Sequence, residues 1–238
     1  MKRILILAQQ HGNEPLGRLI YTELKKRGEQ SPQIEYMVAN PKAVRQKVRY
    51  TESDLNRSFN CRPRDTYEKR RAHTILQKIK MRNYALVLDF HTTNCEVGSM
   101  ALVHGLNHEA MNFIGYTTIT KVVDMQNDIA SHSLIGSYPN SISIEVENKT
   151  ISDSIIKGLA DAVINFLHNK PRKSKQVKLY TVTELITKKS ISIVDQKRLQ
   201  NFVKFNDQYY PILVGNNSYK KQTHYLGFAA NNKRGYTV

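Results

Sequence analysis

Three residues of this chain could do chemistry together by type and spacing: His11, Glu14 and His91. His11 and Glu14 lie in the stretch His11-Gly12-Asn13-Glu14-Pro15, just after the apolar run Ile4 to Ala8. His91 directly follows a second apolar run, Ala85 to Phe90. Each run has the length of a buried strand, and Pro15 suits the first turn of a helix, so the first pair falls in a strand-to-helix loop. Open α/β sheets bind their ligands at the carboxyl ends of such strands. An imidazole and a carboxylate in one loop can turn inward on a single cation, with Gly12 letting the backbone bend between them. His-x-x-Glu alone is a weak signal, and a solvated loop is its bland explanation. The third donor, at the end of another strand, completes the His₂Glu set of a catalytic zinc site, which keeps one position for water.

Further chemistry is placed around this triplet. Asp89, two residues before His91 on the same side of a strand, can orient the imidazole. Residues 40–60 show weak periodicity and many polar groups, and loops of about twenty residues are uncommon unless they build a site. Within that stretch Asp54-Leu55-Asn56-Arg57 offers an amide and a guanidinium to one ligand, with Asp54 bracing the arginine. Ser141 to Glu147 alternates with period two, which puts Glu145 and Glu147 on one face. That pattern reads either as an edge strand facing solvent or as a strand carrying a general base over the metal, and the residues alone do not choose between the two carboxylates. His73, within a charged helix, reads as a surface or packing residue, and His104 and His108, with no carboxylate ligand in register, read as surface residues.

The elements that must position these groups follow from the apolar pattern. Leu16, Leu19, Ile20 and Leu24 recur at helical spacing with Gly28 as a stop, and Ile34 to Ala39 reads as a second strand. Strand, helix, strand favours a parallel pair, hence an α/β fold with a largely parallel central sheet flanked by helices. Helices are expected over Asp65 to Arg82, where one face packs and the rest is solvated, and over Ile151 to Leu167, with strands at Tyr84 to Phe90 and Ser99 to Val103 and a short helix or turn at Asn107 to Gly115. Residues 117–139 give no pattern. After a linker from Lys170 to Lys175, short β-like runs at Val177 to Val182, Ser190 to Val194, Phe202 to Phe205 and Tyr209 to Val214 predict a small β-rich domain. The expected division is a catalytic domain over residues 1–169 and a basic C-terminal domain over 170–238.

At 40% hydrophobic and 24% charged, the 238 residues suit a globular chain. The opening apolar run is five residues long with no cleavage site behind it, which argues against a signal peptide or membrane span and for a cytoplasmic protein. Cys61 and Cys95 read as reduced thiols. The net charge of +16 is concentrated at the end: from Lys170 onward fourteen lysines and arginines face three acids. Such a block can bind nucleic acid, steer a small anion or keep a protein soluble; with no helix concentrating it and no Trp, nucleic acid is the less favoured partner.

The order and spacing of these stretches resemble the aspartoacylase and succinylglutamate desuccinylase family, which shares its core with the zinc carboxypeptidases. The resemblance rests on HGNE at His11 to Glu14, Asn40-Pro41 with Ala43-Val44, Arg49-Tyr50 followed by DLNRSF at Asp54 to Phe59, DFHTT at Asp89 to Thr93, and IEV at Ile144 to Val146. Tyr210-Pro211 followed by Tyr219 is a weaker sixth match. The resemblance implies a zinc carboxypeptidase-like fold with one Zn²⁺ held by His11, Glu14 and His91, and Glu145 as general base and acid. It further implies Arg49 on the scissile carbonyl, Asn56 and Arg57 on a substrate carboxylate, and Tyr219 reaching in from the C-terminal domain. The expected activity is hydrolysis of the amide of an N-acyl amino acid or similar small anion, by a protein compatible with a homo-oligomer. The rivals are a carboxypeptidase-like metallopeptidase and a basic anion- or nucleic-acid-binding protein on a decayed hydrolase core. Some positions depart from the family pattern: Gln9-Gln10 replace small residues, Thr92 an amide, Glu147 follows where glycine is common, and Ser133 to Pro139 lacks an arginine. They leave the acyl group and the amino acid open.

Overall fold

The computed structural model describes residues 2–29, 31–215 and 224–238. Its strands are β1 (Ile4–Ala8), β2 (Ile34–Val38), β3 (Leu86–Thr93), β4 (Ser99–Val103), β5 (Lys121–Asp124), β6 (Ser141–Glu147), β7 (Gln176–Thr187), β8 (Tyr210–Ile212) and β9 (Tyr225–Thr237). Its helices are α1 (Leu16–Lys26), α2 (Pro41–Gln46), α3 (Tyr67–Arg82), α4 (His108–Gly115), α5 (Leu134–Ser137), α6 (Asp153–Leu167) and α7 (Ile193–Gln196). Among the described residues the strands form one sheet in the order β2-β1-β3-β6-β4-β5-β7-β9-β8. β2, β1, β3 and β6 are mutually parallel; β4 runs antiparallel to β6, and β5 and β7 follow β4 in parallel. This is the expected mixed α/β sheet flanked by helices. Because β1 has β2 on one side and β3 on the other, the chain switches direction of winding at β1, and such a switch leaves a crevice at the carboxyl ends of the strands.

Alternation along the strands divides the core. Ile4, Ile6, Leu88, Phe90, Ile142 and Ile144 pack on one face against α1, α4 and α6. Leu5, Leu7 and Val87 point to the other face, against Ala72, Ile75 and Ile79 of α3. Every side chain from Ile4 to Leu7 is fully buried, and burial of such a side chain is worth about 1.5–3 kcal/mol, so the loop after β1 leaves a firm anchor.

The stretches without a sequence pattern have local causes. The Asn40 side chain accepts from the Ala43 amide at 3.2 Å and starts α2, while Asp54 caps a 3₁₀ turn over Leu55–Arg57. Ser190 to Val194, read as a β run, instead leads into α7, because Ser192 caps it by accepting from the Asp195 amide. Phe202 to Phe205 is not a strand either; Phe205 makes only an isolated bridge with Tyr209. Lys175 is a docked residue: its ammonium donates to the carbonyls of Ile114, Thr117 and Ile119 at 2.7–2.8 Å, while burial and neighbouring Arg172 pull its pKa down to about 8. β7 then pairs with β5, so the sheet is continuous across residue 170. Among the described residues, no helix is long and apolar enough to cross a membrane.

Candidate metal centre

His11, Glu14 and His91 converge although 80 positions separate the two histidines. His11 Nδ1 lies 2.8 Å from Glu14 Oε1, His91 Nδ1 lies 3.0 Å from Glu14 Oε2, and the two Nδ1 atoms are 3.2 Å apart. Zinc bonds of about 2.0–2.1 Å in tetrahedral geometry set neighbouring donors roughly 3.3 Å apart, close to the 3.2 Å between the two Nδ1 atoms. The far nitrogens are occupied by carboxylates: His91 Nε2 lies 2.7 Å from Asp89 Oδ2 and His11 Nε2 lies 3.1 Å from Asp54 Oδ1. An imidazole that donates through Nε2 keeps its Nδ1 lone pair for the centre, so the two carboxylates favour the tautomer a metal needs. The donor set and its orientation fit one divalent ion. Asp89 was legible in the sequence; the hold of Asp54 on His11 was not.

The electrostatics have the same origin. Burial pulls the pKa of both histidines down, but carboxylates outweigh it, Glu14 and Asp54 for His11, Asp89 and Glu14 for His91, and leave both raised in the metal-free protein. Burial pushes Glu14 and Asp54 up, yet the facing imidazoles, joined at Asp54 by Arg49, hold both carboxylates far below their usual range. Asp89 Oδ2 also accepts from Gln10 Nε2 at 2.5 Å and from Ser143 Oγ at 2.9 Å. An aspartate that holds a ring in this way typically controls metal affinity by 10–100-fold. Asp89→Asn is therefore expected to weaken zinc binding by about that factor with little change in the far-ultraviolet spectrum, measured by competition with a chromogenic chelator.

β6 is an interior strand, so its carboxylates do not face solvent at a sheet edge. Glu145 pairs in register with His91 and lines the cavity that also receives His11, Arg49, Asn56, Arg57 and Ser143. Burial raises its pKa, with Glu14 adding to the rise and His91 opposing it. Glu147 is engaged elsewhere, accepting from the Gly98 amide at 3.0 Å and pairing with Lys149 at 2.9 Å. Burial pushes it up, and those partners bring its pKa below the ordinary value.

Residues 40–60 are organised by Glu68, a fully buried residue in the first turn of α3. Its carboxylate accepts from the Thr51 amide and hydroxyl, both at 2.8 Å, from the amides of Glu52 at 3.2 Å and Ser53 at 3.1 Å, and from Asn40 Nδ2 at 3.3 Å. That clamp fixes the chain between Arg49 and Asp54. Arg49 lies 3.1 Å from Glu14 and 3.2 Å from Asp54; Arg57 Nη1 donates to the Asn56 carbonyl at 2.8 Å. Tyr219 lies outside the described residues. Glu68→Ala would leave several donors unpaired, and a loss of at least about 2 kcal/mol in denaturant unfolding is expected. Burial raises the Glu68 pKa, but its hydrogen bonds win and hold it below 4.5, so its contribution is present above about pH 4.5 and fades as pH falls through the lowered folded value. Gly12 is demanded by contact: a Cβ there would lie 2.2 Å from the Ala43 carbonyl carbon, so the loop carrying His11 and Glu14 lies directly on α2.

A buried His-Glu-His cluster at the switch point of an open mixed sheet, with a glutamate on the adjoining strand, is an arrangement that could hold a metal ion beside a proton acceptor. The match to the catalytic-domain model of the succinylglutamate desuccinylase/aspartoacylase family covers residues 1–151. The chain belongs to that family. It is 31% identical over 140 residues to an N-acyl-aromatic-L-amino acid amidohydrolase (carboxylate-forming) of Xenopus laevis, covering 52% of this chain and 45% of that one. It is also 31% identical over 113 residues to a probable aspartoacylase of Prochlorococcus marinus, covering 43% and 38%. The chain thus spans less than half the length of these relatives. Among solved structures, succinylglutamate desuccinylase from Chromobacterium violaceum superposes with a TM-score of 0.79 at 17% identity, covering 98% of this chain and 85% of that one. Murine aminoacylase 3 superposes with a TM-score of 0.75 at 19% identity, covering 100% and 97%. At these identities the likeness is one of fold.

Proposed function

We propose that the protein is a zinc-dependent amidohydrolase that releases the acyl group of an N-acyl amino acid, with one zinc held by His11, Glu14 and His91. The observation that carries this reading is the pair of histidines whose Nδ1 atoms meet Glu14 while carboxylates hold their Nε2 atoms. A bound zinc ion supplies Lewis acidity, lowering the pKa of water toward neutrality and polarising a carbonyl. Glu145, raised in pKa and facing the cavity, takes the proton from the attacking water and returns it to the leaving amine nitrogen. Water adds to the acyl carbon, the carbon–nitrogen bond breaks, and a carboxylate and an amine leave. The Arg49 guanidinium donates to the carbonyl oxygen as charge develops there. Asn56 and Arg57 hold the substrate carboxylate, which keeps the scissile bond over Glu145. Asp54 and Asp89 keep the two imidazoles turned. Tyr219 belongs to this reading as a further substrate contact.

The C-terminal part from residue 170 serves this site through its positive charge, which raises the encounter rate of an anionic substrate. A cytoplasmic location accords with the two free cysteines. The experiment that tests the reading incubates zinc-loaded protein with N-acyl amino acids, C-terminally free peptides and a random oligonucleotide. Amine release from the N-acyl amino acids is expected to exceed that from the peptides by at least about tenfold in kcat/KM, because Asn56 and Arg57 address a carboxylate close to the scissile bond. Preferential cleavage of peptides, or tight oligonucleotide binding without hydrolysis, would contradict it.

A further inference from the structure

The cavity over the metal centre has two unlike walls. His11, Arg49, Asn56, Arg57, Ser143 and Glu145 form one; Leu102, Met125, Ile129, Ile135, Leu213 and Phe228 dominate the other, where the Ser133 hydroxyl is spent on the Ala130 carbonyl at 2.7 Å. Sheet register explains the division. Asp89 and His91 pair with Ser143 and Glu145 across β3 and β6, so this face is polar up to β6. At the antiparallel seam Met100 stands opposite Glu145 and Leu102 opposite Ser143, and Leu102 in turn pairs with Val123 of β5. From the seam onward the face is apolar: Leu102, Met125, Ile135, Leu213 and Phe228 belong to one buried cluster that also holds Tyr180 and Ala230.

Leu213 adds an independent observation. Its backbone is held at φ 56°, a left-handed conformation that a leucine rarely adopts and a glycine adopts freely. The chain accepts that conformation and still places an isobutyl group on the cavity wall, and strained backbone of this kind collects at ligand sites.

We infer that this wall is a subsite for an uncharged apolar substituent, so the substrates are N-acyl amino acids with an apolar side chain or acyl chain and not those with a second carboxylate. The inference rests on the amidohydrolase reading and names its substrate class. A second carboxylate laid on this wall would lose its hydration, and the described residues of the wall offer it no cation. An apolar group gains about fourfold in affinity per buried methylene.

The test measures kcat/KM of the zinc-loaded enzyme for N-acetylalanine, N-acetylleucine, N-butyrylalanine, N-acetylaspartate and N-succinylglutamate. N-acetylleucine or N-butyrylalanine is expected to exceed N-acetylalanine by at least about tenfold, and which of them gains tells whether the side chain or the acyl chain occupies the wall. Both dicarboxylic substrates are expected to fall below N-acetylalanine. Leu213→Gly relieves the backbone while removing the side chain, so it should stay folded and reduce the gain of the favoured substrate by at least about threefold. A higher rate on either dicarboxylic substrate, or an unchanged gain in Leu213→Gly, overturns the inference. Calorimetry on zinc-loaded Glu145→Gln with N-acetylleucine, N-butyrylalanine and N-acetylaspartate separates the two readings. Tighter binding of either apolar ligand than of N-acetylaspartate, with no hydrolysis of any amide by the wild type, supports the subsite and removes the hydrolase reading; tighter binding of N-acetylaspartate removes the subsite.

Discussion

Glutamine at position 145 is expected to leave zinc bound and the chain folded while lowering kcat by about 10²–10⁴-fold, the range a positioned general base supplies. The amide fills the volume of the carboxylate and keeps a hydrogen-bonding group on the cavity wall, but it cannot accept a proton from water. KM should change far less than kcat, because the proposed contacts to the substrate carboxylate, Asn56 and Arg57, lie on another element. Glu147→Gln gives the contrast. That side chain serves the Gly98 amide and Lys149, so its neutralisation should appear as a small loss of thermal stability with turnover nearly unchanged. If Glu147→Gln were the inactive variant and Glu145→Gln the active one, the base would be misassigned.

The second large effect is expected from His91→Ala. This substitution removes one of three donors and orphans two carboxylates at once: Asp89, fully buried, loses the ring it holds at 2.7 Å, and Glu14 loses a partner at 3.0 Å. Zinc content measured by mass spectrometry should fall to near background, and hydrolysis with it. Full zinc occupancy in His91→Ala would remove His91 from the site. The control Asp89→Asn keeps the ring and should show a weaker but measurable affinity, so the two variants rank the ligand above the residue that orients it.

Much of this centre was legible because each donor follows an apolar run whose length fixes where the strand ends. Ile4 to Ala8 delivers His11, and the run up to Phe90 delivers His91; Asp89 followed from the two-residue period. The contact of Asp54 with His11 was hidden because it spans 43 positions and starts from a stretch with no periodicity. Glu68 was hidden for the opposite reason. A glutamate in a first helical turn normally faces water and the helix dipole, and only the returning backbone of Thr51 to Ser53 makes it a buried acceptor. Glu145 and Glu147 share a strand face, and what distinguishes their surroundings, the Gly98 amide on one side and the cavity on the other, is tertiary. Farther on, Gly227, Ala229 and Ala230 give β9 no strong propensity; it forms because it pairs along β7 from Thr237 back to Tyr225. The β-branched Ile191, Ile193 and Val194 suggest a strand where α7 forms, and the cap at Ser192 outweighs their preference.

Titrating zinc into metal-free protein while following amine release from an N-acyl amino acid tests the central claim most directly. Activity is expected to rise in proportion to added zinc, to level off at one equivalent per chain, and to be absent in Glu145→Gln at every point. Hydrolysis in the absence of metal, a plateau at two equivalents, or no amine release at one full equivalent would contradict a single catalytic zinc held by His11, Glu14 and His91.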